Sequence, residues 1–215
     1  MAEARAPTLD RPELPELDQE SISLGMWIFL ASEVMFFGAL FAAYIIYRNA
    51  YPQVFAEASR HLNVWIGGVN TGLLLTSSLT VALAVNAAQL GKRKLLIAFL
   101  LLTIVLGLIF LGLKGLEYSQ EFEENLFPGR NFIYPGPEPE KARLFFSLYF
   151  TMTGLHALHM LAGLLTFSII VLLAWRKKIT QENYISVELA GLFWHFVDIV
   201  WIFLFPLLYL IGRTW

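Results

Sequence analysis

Residues 190–212, AGLFWHFVDIVWIFLFPLLYLIG, form an apolar run long enough to cross a bilayer as a helix. The run also carries His195 and Asp198 one helical turn apart, bracketed by Trp194 and Trp201. An ionisable side chain inside a membrane costs several kcal/mol unless it is paired or faces protein or water. A helix of this kind is therefore expected to pack inside an assembly. The His195–Asp198 spacing suggests a charge-assisted hydrogen bond on one helix face, a structural clamp. A Ser–His–Asp relay would need a nucleophile and an open aqueous cleft beside the pair, and the sequence points to neither.

Four further apolar runs, about 22–47, 64–89, 95–117 and 144–175, have the same character. The expected fold is therefore all-α: a polytopic bundle of five transmembrane helices filling residues 22–215. Composition agrees. Apolar residues make up 57% of the chain and charged residues 15%, against roughly 25% charged in a soluble domain. The net charge of −2 forms no basic surface, so nucleic acid is not an expected partner. There is no cysteine, which excludes disulfides, zinc thiolate sites and iron–sulfur clusters. Residues 1–21 hold Asp10, Glu13, Glu16, Asp18 and Glu20 among prolines and lack the charged-then-apolar order of a secretory signal. They read as an acidic, flexible arm.

Loop charges give an orientation. The connectors Gly91–Lys94 and Arg176–Lys178 are short and basic, whereas the long 118–143 connector is rich in proline and acids. The positive-inside tendency then places the N-terminus in the cytoplasm and the C-terminus outside. Inside the spans, Gly67, Gly68, Gly107, Gly112, Ala157 and Gly163 permit close helix approach. The hydroxyls of Thr76, Ser77, Ser78 and Thr80 can bond back to the preceding turn of their own helix.

Glu33 lies about eleven residues into its span, roughly 16 Å deep. A carboxyl there is expected to be protonated or hydrogen-bonded. Two roles stay open for it: a proton-relay or lipid-contact site, and a helix-packing hydrogen bond. His156 and His159 fall at i, i+3, and with His195 they raise a haem or metal hypothesis. Depth argues against it. His195 sits roughly 10 Å and His159 roughly 25 Å from the same face, too unequal for two axial ligands of one haem. Lys114 and Glu117, at the end of the 95–117 span, read as interfacial residues that snorkel.

Taken in order, GMWIFLASEVMFFGALFAAY at 25–44, VNTGLLLTSS at 69–78, LKGLEYSQ at 113–120, FSLYFTMTGLHALHMLAG at 146–163 and FWHFVDIVWIFLF at 193–205 resemble subunit III of the haem-copper respiratory oxidases, in its five-helix bacterial form. The resemblance implies a non-catalytic accessory subunit of a proton-pumping terminal oxidase in aerobic respiration. On that reading it has no haem or copper of its own; those belong to partner subunits I and II. It packs on subunit I beside subunit II and small subunits, binds phospholipid, and supports proton uptake and turnover. Membership of a respiratory supercomplex is left open. Glu33, Glu117, His156, His159, His195 and Asp198 match the family's intramembrane polar positions. Longer members carry two more N-terminal helices that frame a lipid cleft, which this chain lacks. The implied location is the bacterial cytoplasmic (inner) membrane. The flanking sequence looks more like the cytochrome c oxidases than the quinol oxidases. Three alternatives remain: quinol oxidase subunit III, a related protein linked to nitric oxide reductase, and a stand-alone transporter relaying protons through Glu33, His156 and Asp198. The last would be favoured by an internal repeat, and none is evident.

Overall fold

A computed structural model describes residues 14–177, 179, 183–210 and 212, with side chains from residue 20 onward. Among the described residues six α-helices follow one another: α1 (Leu14–Ala50), α2 (Pro52–Ser59), α3 (Val64–Gln89), α4 (Arg93–Glu123), α5 (Pro139–Trp175) and α6 (Ile185–Phe205). Among the described residues five are long and apolar enough to cross a membrane: α1, α3, α4, α5 and α6 with its terminal turn. Their large exposed side chains, such as Met35, Leu79, Leu108 and Leu165, face outward, as hydrocarbon solvent permits.

Local chemistry sets the boundaries. Asn63 caps α3, its side-chain oxygen accepting from the backbone N–H groups of Trp65 (3.1 Å) and Ile66 (3.4 Å). Gly91 takes φ 67°, a conformation glycine adopts freely, and so α3 reverses into α4 within three residues. Pro206 brings no N–H to the carbonyl one turn back, and the chain leaves α6 as a single π-helical turn, Pro206–Leu210.

The four helices α3 to α6 close a ring: α3 meets α4, α4 meets α5, α5 meets α6, and α6 returns to α3. α1 docks outside this ring on α5 and α6, and it buries the smallest share of its span. The short α2 buries Val54, Phe55 and Ala58 against α5 and the terminal turn. The Tyr44 hydroxyl donates to the Leu207 carbonyl (2.6 Å) and Arg60 Nε to the Gly212 carbonyl (3.0 Å), so the end of the chain is tied to α1 and α2.

At the centre of the ring lies the fully buried Trp194 indole. A Cβ on Gly163 of α5 would stand 2.7 Å from its Cε3, and one on Gly107 of α4 3.1 Å from its Cη2. The indole N–H donates to Ser77 Oγ of α3 (3.1 Å). Four helices thus meet on one side chain. The expected role of small residues holds at Gly67, Gly107 and Gly163, whereas Gly68 and Gly112 have no neighbour to meet a side chain.

The helices outrun the apolar runs in the sequence. α1 already includes residues 14–21, expected as a flexible arm; residues 1–13 lie outside the described residues. α4 continues to Glu123 and α5 starts at Pro139, shortening the long connector at both ends. Replacing Gly163 with valine should displace Trp194 and cost about 1–3 kcal/mol. The apparent melting temperature and tryptophan fluorescence of the purified protein in detergent would report it; no change in either would mean the slot is loose.

Candidate functional site

Polar side chains inside the bundle fall into three groups. The first joins α1 to α5: Glu33 Oε2 lies 3.0 Å from His159 Nε2, with side chains 19% and 16% exposed. His159 Nδ1 is 2.8 Å from the Leu155 carbonyl, an acceptor only, so Nδ1 carries a hydrogen. A single proton therefore lies between Nε2 and Oε2, whichever atom holds it, and the pair is neutral overall. Phe37 and Phe193 flank the imidazole, at 5.3 and 6.2 Å between ring centroids. Of the two roles left open for Glu33, the helix-packing bond is visible here, made to a histidine 126 residues away.

The second group joins α3 to α6. The imidazole Nδ1 of His195 lies 2.7 Å from Ser78 Oγ. The expected clamp to Asp198 is not formed: both Asp198 carboxyl oxygens are buried without a hydrogen bond. The cause is the neighbouring helix, which offers His195 a hydroxyl that spacing along α6 alone does not reveal. Ser78 thereby departs from Thr76, Ser77 and Thr80, whose hydroxyls do bond back to their own helix.

The third group holds α4, α5 and the terminal turn together. Lys114 and Glu117 are buried, 3% and 2% exposed, and pair at 2.8 Å. The three ammonium hydrogens have three acceptors: Glu117 Oε2 (2.8 Å), the Tyr149 hydroxyl (2.8 Å) and the Tyr209 hydroxyl (2.6 Å). Tyr209 in turn donates to Glu117 Oε2 (3.0 Å). Four rings face the ammonium, those of Tyr149, Tyr118, Tyr209 and Trp201, with centroids 4.6 to 5.5 Å away. Glu121 follows one turn later, also buried, and Tyr118 bonds Thr153 Oγ1 (2.6 Å).

This corrects the expectation that Lys114 and Glu117 snorkel at an interface. The helix runs six residues past Glu117, and α5 and the terminal turn cover its last turns, so an apparent span end is an interior. Tyr149 and Tyr209 are the site residues that sequence reasoning passed over, whereas Lys114 and Ser78 were given other roles. The 3–4 spacing of Lys114, Glu117 and Glu121 continues the buried stripe of Gly107 and Phe110, and that was the available signal. His156 stands apart from its neighbour His159, enclosed by Phe110 and Trp201 with neither ring nitrogen hydrogen-bonded.

Removing one partner of a buried ion pair strands the other. Lys114→Met should destabilise the protein by about 3–5 kcal/mol, and Lys114→Met with Glu117→Leu should recover much of that. The check is a double-mutant cycle on complex yield and apparent melting temperature. Additive losses would mean the two residues do not act as a pair.

The family described as cytochrome c oxidase subunit III matches this chain over residues 15–126 and 139–213. Cytochrome c oxidase subunit 3 of Corynebacterium diphtheriae is 34% identical over 98% of this chain and 94% of its own length. Cytochrome bo(3) ubiquinol oxidase subunit 3 of Pseudomonas aeruginosa is 32% identical over 87% of this chain and 84% of its own. Cytochrome c oxidase subunit 3 of Alkalihalophilus pseudofirmus is 33% identical, with 94% and 92% covered. The matched residues include every polar group described above, and the chain therefore belongs to the cytochrome c oxidase subunit III family, as a multi-pass membrane subunit of a haem-copper oxidase complex.

Proposed function

We propose that this chain is a non-catalytic accessory subunit of a proton-pumping terminal oxidase, packed on subunit I in a bacterial cytoplasmic membrane. On this reading it holds phospholipid and supports proton uptake and durable turnover, while haems and copper reside in subunits I and II. The observation that carries it is a cleft of about 780 Å³ between α1 and α6. Its wall is apolar, with Trp27, Phe37, Phe41, Phe196 and Phe203 prominent, and His195 is its one ionisable lining residue. The α1 wall runs from Trp27 to Ile45, roughly 27 Å at 1.5 Å per residue, close to the hydrocarbon thickness of a bilayer. A groove of that length and polarity suits an acyl chain and offers little to a polar substrate. Glu33–His159 joins α1 to α5, and Lys114 joins α4 to α5 and the terminal turn through Tyr149 and Tyr209, which fits a supporting role better than a reacting one.

We further propose cytochrome c as the reductant of the whole complex, in line with the flanking sequence. The similarity to a ubiquinol oxidase subunit keeps quinol as the competing reductant. The orientation follows from charge: the Gly91–Lys94 turn and the basic residues Arg176 and Lys177 face the cytoplasm.

Purification through a tag on this chain in mild detergent should bring two larger subunits, haem absorbance and oxygen consumption driven by reduced cytochrome c. A chain that arrives alone and colourless would overturn the proposal; consumption driven only by quinol would overturn the choice of reductant. For the cleft, Gly38 has open space beside it, so Gly38→Trp should fill the groove. Lipid phosphorus per complex should then fall and the enzyme's working life shorten severalfold, with the initial rate unchanged. An unaltered lipid content would place the lipid elsewhere.

A further inference from the structure

The two mouths of the α1–α6 cleft carry opposite charge. At one mouth the walls stop at Ile45 on α1 and at Pro206 and Leu207 on the terminal turn. Arg48 follows Ile45 by one helical turn on the same side of α1, in the last turn of that helix. Its guanidinium interacts with the Tyr44 side chain, whose hydroxyl donates to the carbonyl of the cleft residue Leu207. The cation therefore stands at the rim of the cleft. Arg48 is partly buried, yet among the described residues it makes no hydrogen bond and no ion pair. The next acid along the chain, Glu57, interacts instead with Tyr134 of the α4–α5 connector. Tyr47 and Tyr51 flank Arg48 in the chain, as aromatic residues do at the level of lipid headgroups.

At the other mouth the walls stop at Trp27 on α1 and Leu192 on α6. The same helix faces, continued beyond the cleft, bring Glu20 seven residues before Trp27 and Glu188 four residues before Leu192, both exposed. The basic residues of that side, Arg176 and Lys177, end α5, a helix that contributes nothing to the cleft wall. A phosphodiester at this mouth would face two carboxylates. At the Arg48 mouth it would meet a guanidinium with no other anion, whose planar fork of N–H donors fits two phosphate oxygens at once. The apolar groove between the mouths gives a chain-like ligand its place, and the unpaired cation fixes which end of that ligand is polar.

We propose that the cleft takes its phospholipid from the outer leaflet, with the phosphate held by Arg48 and one acyl chain lying along Phe41 and Phe203. The inference rests on the lipid reading of the cleft given above and adds to it a headgroup site and a leaflet. The Arg48 mouth lies on the side of the membrane opposite the basic Gly91–Lys94 turn, which is the outer side in the orientation proposed above. A lipid of the inner leaflet would set its phosphate against Glu20 and Glu188 and leave Arg48 unpaired. The site is independent of the reductant that the oxidase uses.

The test is native mass spectrometry of the complete complex purified through this chain, with this subunit released in the gas phase, together with a high-resolution map. The subunit is expected to leave carrying a phospholipid. In Arg48→Gln the lipid-bearing fraction should fall severalfold. Arg48→Lys keeps the charge without the fork and should retain part of it, and Arg93→Gln, in the α3–α4 turn, should retain all of it. The map of the unmodified complex should show phosphate density beside the Arg48 guanidinium, a result that does not depend on any variant assembling. The proposal is overturned if Arg48→Gln keeps the full lipid-bearing fraction, if the phosphate lies at the Glu20–Glu188 mouth, or if the bound mass is that of a fatty acid. A cleft that holds no lipid in the unmodified complex would overturn the lipid reading itself along with it.

Discussion

In hydrocarbon a helix gains nothing by hiding an apolar face from its solvent, because the lipid tails are as apolar as the leucines. Association has to come from close contact and from polar bonds that water is not present to replace. This bundle meets that condition at one side chain above all. Trp194 inserts its indole between glycines of α4 and α5 and gives its N–H to a serine of α3. With a larger residue on either flank the helices could not approach, and the ring of α3 to α6 would not close at this separation.

Around that contact further polar bonds join the helices in pairs. Thr80 and Thr103 join α3 to α4, Trp201 and Thr71 join α6 to α3, and Tyr118 and Thr153 join α4 to α5. Lys114 adds the terminal turn to α4 and α5 through two tyrosine hydroxyls. The pattern explains why an ammonium can be buried here. Its hydrogens are all accepted, its charge is offset by Glu117, and four aromatic faces replace water around it.

How much of this was legible in the sequence depends on whether a feature is local. The five spans are local, since an apolar run of sufficient length has few other fates, and they stand where expected. Their ends are not. Residues 14–21 read as a loose arm because they are polar, yet they extend α1, and Lys114 reads as interfacial because the chain near it turns polar. At Lys114 the neighbouring protein, rather than the bilayer, decides what is inside. The candidate residues show the same division. Glu33, His156, His159 and Asp198 could each be recognised as out of place in hydrocarbon. Their partners could not be read from one helix. Helical spacing says which face a residue occupies, so His195 and Asp198 looked like a pair; it does not say that Ser78 waits across the interface. Gly107 and Gly112 looked alike for the same reason, and only one of them faces a tryptophan.

The attachment of α1 is where these constraints bear on function. α1 is the least buried of the spanning helices, and two hydrogen bonds to the rest of the bundle lie within it: Glu33 to His159 and Tyr44 to Leu207. The two are eleven residues apart, roughly 16 Å along the helix. Such ties fix the height and rotation of α1 without drawing its whole length against α6. An open apolar groove is left alongside them. If the groove were empty, its walls would lose the dispersion contacts that a filled space provides. A chain-like apolar occupant restores those contacts without competing for any hydrogen bond, because His195 already bonds Ser78 and Glu33 already bonds His159. The polar ties and the apolar cleft are therefore complementary: the ties position α1, and the acyl chain proposed for the cleft would complete its packing.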